Sequence, residues 1–265
     1  MKLSNSLKKR LRPYYHFLLS IGFNPLAFIT ILNLRLYLSH VYKFKKMGGV
    51  ISKFYPIISE FNEEAGTAVG HNFHQDLLVA SYIFNENPQR HIDIGSRLDG
   101  FVAHVASFRK IEVMDIRNLE NNHHKNIHFI RNDLMCKDNV SINMADSISC
   151  LHAIEHFGLG RYGDSIDPNG HINGFQNIIR MLKPNGTLYI SFPIGNRNEV
   201  FFNAHRIFHP KDILGWPNDD FHLKLYRFDY VDDFGSLHLD VNLNTHIFNL
   251  LYGCGIYTFK KLSYS

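Results

Sequence analysis

Five short apolar runs, His91–Ile94, Lys110–Ile116, Ile127–Arg131, Ser147–His152 and Thr187–Pro193, alternate with stretches of helical periodicity. Strands that alternate with helices pair in parallel, because each helix carries the chain back to the same end of the sheet. The pattern predicts an α/β fold, with a doubly wound, mostly parallel sheet. Two later segments, Lys224–Tyr230 and Gly255–Lys260, also read as strands, with a helical stretch around Thr245–Leu251 before the second. A late strand so close to its neighbour suits an antiparallel addition to that sheet.

A chain of 265 residues holds one large domain of this type and an appendage, but not two generous domains. Residues 1–60 are expected to form a helical N-terminal appendage, with Pro25 opening a helix that runs to the Gly48-Gly49 break, and 61–265 the main domain. Much of the net charge of +4 lies in the first 46 residues, where Lys8, Lys9, Arg10, Arg12, Arg35, Lys43, Lys45 and Lys46 meet no acid. Such an arm suits either a solvated helix face or peripheral contact with an anionic membrane. Nucleic acid is not an expected partner, since no basic stripe interleaved with aromatics follows. Phe17–Leu34 is apolar but contains Gly22, Asn24 and Pro25, and is short for a span of ~20 residues, so a packed or interfacial helix is expected. Cys136, Cys150 and Cys254 lack the paired spacing of a disulfide framework or metal site and read as reduced, mostly buried thiols of a cytoplasmic protein.

The first run enters a glycine turn, His91-Ile-Asp-Ile-Gly-Ser-Arg-Leu-Asp-Gly100, ahead of a helix near Phe101. Turns at the carboxyl ends of strands hold ligands in open α/β sheets. Gly95 and Ser96 allow close backbone approach, and Asp93 offers an acceptor to an ammonium or a water. Asp115, twenty residues after Gly95 at the end of the next run, is suited to both hydroxyls of a ribose, and Asp133, after the third, to an adenine amino group. The alternative is that these acids cap helices and turns. The G-x-G-x-x-G string that seats a pyrophosphate is absent, which discourages a nicotinamide cofactor. S-adenosylmethionine has no phosphate and needs the groups present here, so it is the expected cofactor.

These residues resemble class I S-adenosylmethionine-dependent methyltransferases, in which a D-x-G turn and two acids precede a turn like Met181-Leu-Lys-Pro-Asn-Gly186. The resemblance implies a seven-stranded Rossmann-like sheet. Three strings, Gly70-His-Asn-Phe-His-Gln-Asp76, Asp93–Phe101 and Ile154–Asp164, are similar to a methyltransferase-like family of unknown function associated with bacterial surface-polysaccharide genes. That similarity implies an O-methyltransferase acting on a sugar, or a sugar-linked polar group, in capsule or lipopolysaccharide synthesis. Arg97 stands where small residues are usual; it is expected to pair with the cofactor carboxylate unless Asp99 takes it.

A hydroxyl acceptor must lose a proton, and the fourth run ends in His152, Glu155 and His156, with His156 the leading candidate base and Glu155 able to orient a ring. His71, His74 and Asp76 could cap the methionine end of the cofactor or contact the acceptor, and His205 and Arg206, on an expected helix, could bind an anionic acceptor. Asp164, Asp167 and His171 have ligands suited to Mg²⁺, but their loop is equally a tight-turn sequence, and no metal is expected. N- or phosphate-type methyl transfer, and a scaffold that has lost catalysis, remain the alternatives.

Overall fold

The computed structural model describes residues 14–15, 17–23, 31–62, 65–120, 124–136, 140–217 and 223–263. Pro25 as a helix start, and the basic residues Lys8, Lys9, Arg10 and Arg12, lie outside them. The chain divides into two compact units, 1–67 and 68–265. In the first, helix α1 (Leu34–Lys46) carries no buried residue and exposes Leu36, Leu38, Tyr42 and Phe44. The expected helical run stops there. Gly48, at φ +88°, turns the chain out of the helix, and 49–59 contain no helix. No helix among the described residues is long and apolar enough to cross a membrane.

The second unit is built on one sheet. Its strands are β1 (His91–Ile94), β2 (Ile111–Asp115), β3 (Ile127–Arg131), β4 (Ala145–Leu151), β5 (Leu182–Ile194), β8 (Leu223–Val231), β9 (Leu237–His238) and β10 (Gly253–Lys261). They lie in the order β3-β2-β1-β4-β5-β10-β8-β9, eight strands where seven were expected, the extra one being the two-residue β9. The pairs from β3 to β5 are parallel, and β10 runs antiparallel between β5 and β8. The string Lys183–Gly186 loops out of β5, which pairs with β4 at Leu182 and again from Thr187, and Asn185 takes the left-handed conformation at φ 64°.

Period-two alternation divides the strands between two cores. On β5, Leu188, Ile190, Phe192 and Ile194 join Phe175, Ile178 and Ile179 of helix α4 (Gly170–Met181), whereas Tyr189 joins Val79 and Ile83 of helix α2 (His71–Glu86). Helix α3 (Ala103–Ala106) follows a wide turn over Leu98–Val102 and packs Val105 into the second core. Both faces of the sheet are therefore covered, which leaves the carboxyl ends of its strands as the place where polar groups reach a cavity. Successive strands leave β1 toward β3 and then resume on its other side at β4, so the order reverses beside β1, where ligands bind in such sheets.

Two segments differ from expectation. Residues 199–207 form an antiparallel ribbon, β6 (Glu199–Phe201) with β7 (His205–Ile207), and Asn203 at φ 63° makes the turn that a helix would not. Residues 245–251 are not helical, because Asn242 Oδ1 accepts from the Thr245 amide, Asn196 Oδ1 from that of Leu250 and Asp233 from that of Leu251. Side chains thus take donors that a helix would use internally.

Candidate active site at the strand ends

A cleft opens at the switch point, at the carboxyl ends of the strands. Gly95, Asp115, Asp133, His152 and His156 all line it, joined by Arg117, Met135, Phe157, Tyr162 and Asp164. Five of the residues read from sequence thus come from the ends of four successive strands to one space. Gly95 is required there twice over: its φ is +69°, and an added Cβ would sit 2.9 Å from that of Ala153.

Asp93 does not line the cleft. Fully buried, it accepts at Oδ1 from the hydroxyls of Ser96 (2.7 Å) and Ser149 (2.6 Å), and at Oδ2 from the Ser96 amide (3.1 Å). Since Ser149 donates to Asp93, it accepts from His91 Nε2 at 3.1 Å, and His91 Nδ1 in turn accepts from Ser147 at 2.9 Å. Burial pushes the Asp93 carboxyl up to about 7 and holds His91 neutral, down at about 3. The expected contact of Asp93 with an ammonium is corrected: with both oxygens engaged, it fastens the turn from beneath. Ser96 shares that task, since its hydroxyl also lies 3.3 Å from the Leu151 amide.

Arg97 is corrected on the condition already stated, as Asp99 takes its guanidinium at 2.8 and 3.1 Å on the exposed side of the turn. Asp115 carries a partner that sequence did not suggest. Arg117 reaches back to both of its oxygens and lays its guanidinium 4.4 Å from the Tyr162 ring, across the same cleft. Asp133 Oδ1 accepts from the Met135 amide, which shapes the turn after β3.

At the far end, a short helical turn, Ile154–His156, follows β4. His152 enters it at φ 49°, a strained conformation for a residue with a Cβ. Buried Glu155 accepts from His152 Nδ1 at 2.8 Å and lies 3.7 Å from His156 Nε2. His156 Nδ1 donates to the Ala204 carbonyl at 2.7 Å, leaving the lone pair on Nε2. Burial lowers the pKa of His156, opposed by Glu155, so the ring is neutral at neutral pH. His205 stands in the same group of rings, 5.3 Å from Tyr252, and burial holds it down at about 4. Asp76 lies deeper, beside Gly100 of the turn, where burial raises its carboxyl, whereas His74 packs against Phe73 away from the cleft lining.

Arg206 is corrected most firmly. It is buried, and its guanidinium donates to the carbonyls of Phe157 (2.6 Å), Pro168 (3.2 Å), Glu155 (3.3 Å) and Asp167 (3.4 Å), which leaves it to hold the 155–168 loop and not an anion. Gly158 packs under Asp167 so tightly that a Cβ would strike its carbonyl oxygen. Asp164 accepts from the amides of Gly160 and Tyr162, and Asp167 from those around Asn169 and Asn173, so both act as turn caps.

The family model described as "Caenorhabditis protein of unknown function, DUF268" matches residues 102–242, more than half of the chain. The chain belongs to this family. The match takes in Asp115, Asp133, His152, Glu155, His156, His205 and Arg206, while Asp93–Arg97 precede it. This description contains no link to bacterial polysaccharide genes. No curated protein sequence matches the chain. Among solved structures, the (4+2)-cyclase SpnF is 13% identical and aligns over 89% of this chain and 97% of its own at TM-score 0.51. An O-methyltransferase from a trans-AT polyketide synthase multienzyme of Brevibacillus brevis, in complex with S-adenosylhomocysteine, is 14% identical over 71% of this chain and 72% of its own, at TM-score 0.50. The N-methyltransferase NodS of Bradyrhizobium japonicum, also with S-adenosylhomocysteine, is 10% identical over 73% and 89%, at TM-score 0.49. The fold is the Rossmann-like methyltransferase fold. A fold carried by both a cyclase and a methyltransferase does not name a reaction.

Proposed function

We propose that the chain is an S-adenosylmethionine-dependent methyltransferase, its activity housed in 61–265, and that it methylates a hydroxyl of a sugar or sugar-linked group in surface-glycan synthesis. The observation that carries the cofactor is the convergence of Gly95, Asp115 and Asp133, from three successive strand ends, on one cleft with no phosphate-binding string. The cofactor supplies, when bound, an electrophilic methyl group on a sulfonium. For this chain's residues the remaining work is alignment, exclusion of water and removal of the acceptor proton. Asp115 and Asp133 suit the ribose and the adenine amino group, while Asp93 and Ser96 hold the turn under the cofactor.

What supports a hydroxyl acceptor is a neutral ring in the cleft wall, at His156. His156 is neutral at neutral pH, His205 is held neutral by burial, and Arg206 is committed to backbone carbonyls. A neutral imidazole can take the proton that a hydroxyl acceptor must lose. His156 Nε2 is our candidate base, with Glu155 and His152 as positioning residues. The glycan assignment rests on the sequence resemblance alone. Calorimetry should show S-adenosylhomocysteine binding to the purified chain, after which sugar nucleotides are screened for methyl acceptance; a folded chain that gives no heat with S-adenosylhomocysteine overturns the reading.

The appendage, 1–60, joins basic residues to the exposed apolar side chains of α1, a combination suited to the interface of an anionic membrane. On this reading the chain works in the cytoplasm at the inner membrane face. Association with anionic vesicles should then fall steeply as ionic strength is raised through the screening range, whereas retention that ignores salt, or none at low salt, leaves α1 a plain helix.

A further inference from the structure

Three segments far apart in the chain bring a nitrogen, a nitrogen and a sulfur together beside the cleft. His71 opens α2, His152 follows β4 and Cys254 sits on β10, and one ligand atom from each lies within 4.8 Å of the others. Glu155 accepts from His152 Nδ1, which leaves Nε2 as the nitrogen of that ring turned to the group, buried and with no hydrogen-bond partner among the described residues. A carboxylate behind a histidine, leaving the other ring nitrogen free, is the arrangement that orients and strengthens a metal-ligating imidazole. His71 stacks on His152 with ring centres 5.3 Å apart and planes 5° from parallel. Cys254 is a free, fully buried thiol that lies 3.7 Å from both Gln75 Oε1 and the Gly255 carbonyl.

We propose that His71, His152 and Cys254 form a three-ligand zinc site whose fourth position opens toward the cleft that His152 lines. The donor set selects the metal: thiolate and imidazole suit Zn²⁺, whereas Mg²⁺ and Ca²⁺ take oxygen ligands. Bond lengths of about 2.0 Å to nitrogen and 2.3 Å to sulfur around a tetrahedral ion put the ligand atoms roughly 3.3–3.5 Å apart, so the three must close by at most about 1.5 Å. The soft Cβ–Cγ torsion of His71 supplies much of that movement and also turns its lone pair out of parallel with that of His152. Binding converts the Cys254 thiol to a zinc thiolate and releases one proton to solvent. The fourth position is left to water or to a hydroxyl of a bound ligand. The site extends beyond methyl transfer and does not depend on it.

The test uses the tag-free, full-length chain stripped of metal with a chelator and titrated with Co²⁺ as a spectroscopic stand-in. A single saturating site with tetrahedral visible bands and a thiolate-to-cobalt charge-transfer band is expected, bleached by added Zn²⁺. The charge-transfer band should vanish in Cys254→Ser and persist in Cys136→Ser, and Glu155→Gln should weaken metal affinity about 10–100-fold. X-ray absorption at the zinc edge of the wild-type chain, which needs no variant to fold, should give one sulfur and two imidazoles in the first coordination shell. Coordination by nitrogen and oxygen alone, a band that follows Cys136, or a folded wild-type chain that binds no Zn²⁺ each overturns the site.

Discussion

Asp115→Ala should weaken S-adenosylhomocysteine binding by roughly 10–150-fold, the equivalent of about 1.5–3 kcal/mol for charge-assisted hydrogen bonds. Two such bonds to a ribose would suggest more, but the free carboxylate is already paired with Arg117. Ribose hydroxyls therefore replace a guanidinium on Asp115, not water alone, and only the difference appears in the affinity. The same reasoning fixes a companion result of opposite sign: Arg117→Gln releases the carboxylate in advance and should tighten binding. Calorimetry of the two variants separates the cases. If Asp115→Ala binds like the wild type, this acid has no place in the cofactor site.

His156→Ala should lower kcat by roughly 10²–10⁴ while leaving S-adenosylhomocysteine affinity near that of the wild type, because Nε2 acts on the acceptor proton and not on the sulfonium. The base is the neutral ring, and burial lowers its pKa, so the wild-type rate is already on its plateau at pH 7 and falls on acidification below the ordinary histidine value of about 6.5. That acid limb should disappear in the variant. Removal of the ring also frees the Ala204 carbonyl, which Arg161 still reaches at 2.8 Å, so the loop keeps a partner there and a melting curve can establish that the variant is folded. Should the variant instead raise the KM of the acceptor with kcat little changed, His156 is a ligand for an acceptor that needs no deprotonation.

The parallel part of the fold was legible because its signals are local. Period-two apolar runs ending in Gly95, Asp115 and Asp133 require only near neighbours in sequence, and those residues do meet at one cleft. Local pattern could not say which acids face the cavity. Asp93 and Asp115 read alike as strand-end acids, yet hydroxyls from β4 and the turn enclose the first and the second stays at the cleft wall. Arg206 reads as an anion binder until the carbonyls of a loop some forty residues earlier are brought to it. The zinc candidate has no spacing signature, since its ligands lie at positions 71, 152 and 254 and only the sheet makes them neighbours. The ribbon at 199–207 carried a local sign, Asn203 after two phenylalanines, that fits a hairpin turn better than a helix.

The carbonyls gathered by Arg206 have a consequence for recognition. They fix the 155–168 loop from within, and that loop supplies Phe157, Tyr162 and Asp164 to the cleft. A wall ordered before any ligand arrives does not lose its backbone freedom on binding, so the entropy of ordering it has been met during folding. Selectivity among acceptors then depends on the shape of a standing surface and less on closure around whatever enters. Exchanging Tyr162 recuts that surface while the scaffold behind it holds, whereas loss of Arg206 would free the whole wall and blur every distinction it makes.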